Sequence, residues 1–140
     1  MEAIRYDYLS DDAKFIRQEV FMKEQGFQNE FDEIDDGAML IVLYDEKRPV
    51  ATCRVFEGEK EHEFVIGRLA VIKDYRGMNL GTRMLDEAEK VVRKQNGVCI
   101  MLHAQCRVKK FYEQSGYVEF GEIQCDEGCP HIWMKKMLVK

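Results

Sequence analysis

Apolar and polar positions alternate from Met1 to Leu9, which predicts a short strand. Ser10 then stands where a helix cap belongs, and Asp11 and Asp12 suit the positive end of the helix dipole. The apolar stripe Ala13, Ile16 and Val20, with Phe21 beside it, carries that helix onward. From Gly26 to Gly37 no period survives, and the segment is strongly acidic: Glu30, Asp32, Glu33, Asp35, Asp36. Ala38–Tyr44 is the unbroken apolar run of a buried strand, 45–49 makes a turn, and Val50–Glu57 returns as its hairpin partner. Glu63–Ile72 predicts the next strand, apolar at Phe64, Val65, Ile66, Leu69, Ala70 and Val71.

Beyond it lies a basic, glycine-containing turn, Lys73-Asp-Tyr-Arg-Gly-Met-Asn-Leu-Gly-Thr82, and then a long amphipathic helix. Its apolar face is Leu80, Met84, Leu85, Ala88, Val91 and Val92, and Asn96-Gly97 ends it. Val98–His103 is a further strand. Val108, Phe111, Tyr112 and Ser115 mark one face of a short helix that Gly116 stops, and Tyr117–Gln124 and His131–Val139 complete the chain as strands. The order is β-α-βββ-α-β-α-ββ, a mixed α/β domain.

Composition narrows the class. The 140 residues fit one domain, 1–140, with no repeat, linker or low-complexity tract. No apolar run approaches the roughly 20 residues needed to span a bilayer, so a membrane partner is excluded. The N-terminus lacks the apolar core of a secretion signal, so a cytoplasmic location is expected. Lys plus Arg (21) against Asp plus Glu (26) leaves a net charge of −5, which argues against a nucleic-acid partner. The 5 cysteines are an odd count in a domain large enough not to need staples, as expected of reduced thiols. Cys125 and Cys129 with His131 form the one grouping that resembles metal-ligand spacing. Cys99, His103 and Cys106 do not supply a matching second pair, so no metal is expected; a small zinc-binding interaction domain is the rival reading.

The turn at 73–82 carries the candidate chemistry. A strand that passes through a basic, glycine-containing turn into a helix builds an anion site, because the first N–H groups of the helix have no internal partner. Gly77 and Gly81 are expected to let a ligand approach the backbone, with Lys73 and Arg76 supplying charge nearby. The glycines fit neither the nucleotide-hydrolase pattern G-x-x-x-x-G-K-[ST] nor the dinucleotide pattern G-x-G-x-x-G.

The stretch from Leu69 to Leu85 resembles the acetyl-CoA-binding motif of the GNAT superfamily of N-acetyltransferases, (Arg/Gln)-x-x-Gly-x-(Gly/Ala). Arg76 and Gly81 match its ends, while Asn79 replaces the middle glycine; asparagine tolerates positive φ better than most residues. Phe111-Tyr-Glu-Gln-Ser-Gly-Tyr117 is similar to the family's F-Y-E-x-x-G-[FY] stretch. Arg17–Gln25, Ala104-Gln105 and Pro130-His131-Ile132 with Met134 resemble the small ElaA-like and YjcF-like branch. The likeness runs in order from about Ile4 to Met137.

The resemblance implies a GNAT-like acyl-CoA N-acyltransferase fold, a mostly antiparallel, splayed central sheet with helices on both faces. It implies acetyl-CoA as cosubstrate, its pyrophosphate on the amides of Arg76, Gly77, Met78, Asn79, Leu80, Gly81 and Thr82. The pantetheine arm would run beside Leu69, Ala70 and Val71, with Gln105 also in contact. Tyr112 would protonate the departing thiolate; a phenol near pKa 10 and a thiol near 8.5 make that transfer uphill by about 2 kcal/mol. The base that deprotonates the amine is left among Glu24, His103 and His131, with His131 favoured by its place in the branch segment and a water chain as a substitute. The acidic run Glu30–Asp36 would either steer a cationic amine or be an ordinary solvated loop. The expected activity is transfer of an acetyl group to a primary amine by direct attack. The alternative is a non-catalytic acyl-CoA-binding or sensing protein on the same fold. Small amines, aminoglycosides and protein lysines all remain open as acceptors, and the oligomeric state is not legible.

Overall fold

The computed structural model describes residues 1–138. The strands are β1 (Glu2–Tyr6), β2 (Met39–Asp45), β3 (Arg48–Glu57), β4 (Glu63–Val71), β5 (Cys99–Gln105), β6 (Val118–Asp126) and β7 (Cys129–Met137); the helices are α1 (Asp11–Arg17), α2 (Leu80–Lys94) and α3 (Lys109–Gln114). The order is the one predicted. Two boundaries differ in ways that matter. The last strand starts at Cys129 rather than His131, and Val139 lies outside the described residues. The first helix changes at Gln18 into a π-helical stretch through Glu24, which delivers the chain to the sheet's central gap. No helix among the described residues is long and apolar enough to cross a membrane.

The strands form one seven-stranded sheet in the order β1-β2-β3-β4-β5-β7-β6. Only the β4–β5 pair is parallel. α1 and α2 both pack across β3, and alternation along that strand shows that they take opposite faces. The Cys53 thiol feels the charge of Glu87 on α2. The next side chain, Arg54, reaches Asp32 and Asp35 on the α1 side. Ala13, Ile16 and Val20 on one face, and Met84, Leu85, Ala88 and Val92 on the other, bury the stripes that periodicity picked out.

The acidic segment is only partly a solvated loop: Glu33 and Asp36 are exposed, but Glu30 and Asp35 turn inward. Asp32 caps a tight 3-10 turn, Glu33–Gly37, in a reciprocal box with Asp35. Glu30 and Asp35 are buried, and so are Arg17 and Arg54. Arg17 grips Asp35 with two bonds of 2.8 and 3.0 Å and Glu30 with a third. Arg54 bridges Asp32 and Asp35, and Arg68 of β4 reaches Glu30 at 2.6 Å. Burial pushes the Asp35 carboxyl up, but hydrogen bonds and charge from Arg17 and Arg54 outweigh it and hold the group below its ordinary value. At Glu30 burial wins over the neighbouring arginines and the carboxyl is raised. The three arginines offset Glu30, Asp32 and Asp35, while Glu33 and Asp36 stay exposed outside the cluster.

β4 bends at this cluster. Arg54 pairs with Gly67 but Thr52 with Ala70, so β4 has one residue more than β3 across that interval. Arg68 takes up the excess at φ 54, in the left-handed region. β4–β5 pairing accordingly stops at Ile66 opposite Leu102, although both strands continue. The sheet splays there, as the resemblance implied.

Candidate active site

A cleft of about 990 Å³ opens where β4 and β5 part. Leu69, Ala70 and Val71 line one wall, with the β4 edge left unpaired by β5. His103 and Gln105 of β5, His131 of β7, and Phe111 and Tyr112 of α3 line the other. The 20–30 segment and the β6–β7 hairpin tip close over its far end, where the Gln28 amide donates to Glu127 Oε1 at 3.1 Å.

The N-terminus of α2 faces this cleft through Gly81. Asn79 is the cap residue at φ 60, its side chain bonds no helix amide, and no acidic residue occupies the first turn. The first intrahelical bond runs from the Arg83 amide to the Asn79 carbonyl, which leaves the N–H groups of residues 80–82 without a helical partner. Gly77 sits at φ 82 with nothing within 4 Å of a would-be Cβ, so its conformation requires glycine. Gly81 was expected to give a ligand close access. Instead a Cβ there would stand 2.8 Å from Phe111 Cζ, so this glycine makes room for the Phe111 ring. Leu80 points into the core and Met78 into solvent, so neither side chain enters the cleft.

Arg76 does not present a free charge either. Its Nε donates to the Val71 carbonyl at 3.1 Å, and its two terminal nitrogens both donate to the Glu24 carboxylate. Glu24, one of the candidate bases, is thereby held as a depressed carboxylate, chiefly by the Arg76 hydrogen bonds. Gln105 Nε2 donates to Gln25 Oε1 at 2.9 Å and its Oε1 accepts from Arg107, so Gln105 ties the π-helical stretch to the end of β5.

Tyr112 lies edge-on to Phe111 and Tyr117, and its hydroxyl has no hydrogen-bond partner among the described residues. Burial, with a smaller contribution from Cys53, raises the phenol to about 12. It is therefore a neutral O–H at ordinary pH, a proton donor. His131 is not at a strand edge: β7 is interior, β6 is the edge, and His131 is only 7% exposed. Its Nδ1 lies 2.8 Å from the Cys129 carbonyl, which can only accept. That bond places the proton on Nδ1 and leaves the Nε2 lone pair available. His103 stacks between Trp133 and His131 at centroid distances of 4.8 and 4.9 Å. Its Nε2 is buried without a partner, and desolvation, then the nearby His131, lower its pKa.

Cys125 pairs with Pro130 and Cys129 with Asp126 across the hairpin, and no group of three or more His, Cys, Asp or Glu able to hold a metal ion occurs among the described residues. Sequence reasoning named Glu30 only as part of an acidic run, and missed Arg68 beside it in the cleft wall, the Trp133 stack, and the Glu127 bridge. Strand register was the absent signal: His103 opposite Trp133 and Gln105 opposite His131 put these rings together.

An unpaired strand edge in a splayed sheet, beside an uncapped helix N-terminus, defines an acyl-CoA N-acyltransferase fold. The chain matches the family model "Acetyltransferase (GNAT) domain" over residues 6–138; it belongs to the GNAT family and is an acyltransferase. It is 32% identical over 130 residues to the uncharacterized N-acetyltransferase YjcF of Bacillus subtilis, covering 89% of this chain and 90% of that one. A Lactobacillus plantarum N-acetyltransferase structure superposes with a TM-score of 0.88 at 29% identity, covering 99% of this chain and 98% of the other. Escherichia coli ElaA shares the fold, with a TM-score of 0.84 at 24% identity over 96% of this chain and 98% of ElaA.

Proposed function

We propose that this acyltransferase moves an acetyl group from acetyl-CoA to a primary amine, without a covalent enzyme intermediate. The observation that carries the reading is the gap beyond Ile66–Leu102, which leaves the β4 edge at 69–71 beside the free amides of α2. The residues fit the cosubstrate: the amides of 80–82 and the Gly77 turn would hold its pyrophosphate, and the β4 edge would pair with its amide-bearing arm. Acetyl-CoA supplies the thioester. A β4 N–H polarises its carbonyl, and His131 Nε2, in its fixed tautomer, takes the proton of the attacking amine.

Tyr112 returns a proton to the departing sulfur. At about 12 the phenol would be uphill by about 5 kcal/mol against a thiol of ordinary acidity. The leaving thiolate, however, forms in the same apolar surroundings. The buried Cys53 thiol, close enough to bias Tyr112, is itself raised to about 12 by desolvation. A thiolate leaving beside Tyr112 would be shifted in the same direction, which lowers the cost of the transfer.

Thiol release from acetyl-CoA, measured across polyamines, amino acids, aminosugars and lysine peptides, tests the reading. Turnover with at least one amine is the expected result. CoA binding without turnover on any amine would leave the chain a binding protein.

A further inference from the structure

Glu24 has no part in the chemistry above, yet it occupies a revealing position. It lies on the wall between the main cleft and a second recess of about 330 Å³. On the cleft side it holds both terminal nitrogens of Arg76. Three of the five guanidinium N–H groups are thereby committed, counting the bond to Val71. On the recess side stands Lys73, which makes no ion pair with any described residue and whose charge already acts on Glu24. The Glu24–Arg76 pair is solvent-accessible, with side chains 37% and 41% exposed. Pairs of that kind contribute little and exchange partners readily.

We propose that Glu24 is a displaceable counter-anion, which leaves Arg76 for Lys73 when the pyrophosphate of CoA enters the cleft. The inference rests on the cosubstrate reading above and concerns how that site is regulated. Without ligand, Arg76 is neutralised and the loop is held to the π-helical stretch. A diphosphate that also engages the free α2 amides outcompetes a single carboxylate for the guanidinium. Glu24 then passes to a lysine that has no other partner among the described residues. Returning to Arg76, it competes with product CoA and speeds its departure.

Calorimetric CoA titrations of wild type, Glu24→Gln, Arg76→Ala, Lys73→Ala and the double variants test this. Glu24→Gln should bind CoA about two- to five-fold more tightly, and product inhibition by CoA should strengthen by the same factor. In the Arg76→Ala background that gain should vanish. Lys73→Ala should weaken CoA binding when Glu24 is present and have no effect beside Glu24→Gln. Should Glu24→Gln fold poorly, Glu24→Ala gives the same reading. Unchanged or weaker CoA binding in a folded Glu24 variant overturns the inference, as does a gain that persists without Arg76. Failure of wild type to bind CoA is a different result, and it removes the cosubstrate reading itself.

Discussion

The two halves of the cleft are made of different materials. The half beside α2 is built from backbone: free amides at 80–82, a left-handed Gly77, and an unpaired strand edge at 69–71. The half beside α1 and the β6–β7 hairpin is built from side chains gathered from distant segments: Glu30, Arg68, His103 and His131, with Trp133 stacked on His103. Backbone can take the same cosubstrate arm with almost any side chains above it. A side-chain wall needs its own scaffold, here the Arg17–Glu30–Asp35–Arg54–Arg68 cluster, and under the proposed function it is the half that would meet the acceptor.

The largest effect should come from that scaffold. Arg17 is fully buried between Glu30 and Asp35, and Arg17→Met removes the guanidinium they share, leaving Asp35 to Arg54 and Glu30 to Arg68. A loss of about 3–5 kcal/mol in urea unfolding is expected. Glu24→Gln, at the exposed pair, should change stability by less than about 1 kcal/mol. Equal losses would erase the distinction between a structural cluster and a displaceable pair.

Next is the chemistry where the halves meet. Tyr112→Phe keeps the ring contacts with Phe111 and Tyr117 and removes a hydroxyl that bonds no described residue. Turnover should fall by about 10²-fold or more, with CoA affinity within a few-fold of wild type. Steady-state kinetics beside CoA titration separates the two. Wild-type turnover would move the acid to water or another group.

A smaller effect separates the two glycines. Gly77→Ala meets open space but keeps a left-handed φ, so about 1 kcal/mol of backbone strain and a matching loss in thermal stability are expected. Gly81→Ala meets no such strain but displaces the Phe111 ring, and should disturb the ring's NMR signals while Gly77→Ala leaves them in place.

The mildest effect is confined to acid. Asp32 and Asp35 are held below their ordinary values: burial raises both, but the hydrogen bonds and charges of the arginines prevail. Their stabilisation is complete above the unfolded value near 3.9 and is lost as pH falls through the lower folded values. Glu30, raised by burial, has the opposite sign and does not add to this acid loss. Denaturant midpoints should therefore drop below about pH 4, and the slope should flatten in Asp35→Asn.

The same division explains what could be read in advance. Element order and the turn into α2 were legible because their signals are contiguous: the Ser10 cap, the α2 stripe and the segment from Lys73 to Thr82. Periodicity gives no reason to bury Arg17, which lies beside Ile16 on the same helix. Nor does composition distinguish a solvated acidic run from one neutralised by arginines far away in sequence. Only the register of β3, β4, β5 and β7 brings those groups together. The Phe111 ring beside Gly81 was not legible either, since it comes from another helix.

A single titration decides whether the backbone half holds the cosubstrate. Amide NMR signals of the whole chain, followed as CoA is added, should shift most at residues 69–71 and 79–82 and saturate together, while those of 33–37 scarcely move. Saturable binding that leaves 69–71 and 79–82 unperturbed would contradict the assignment.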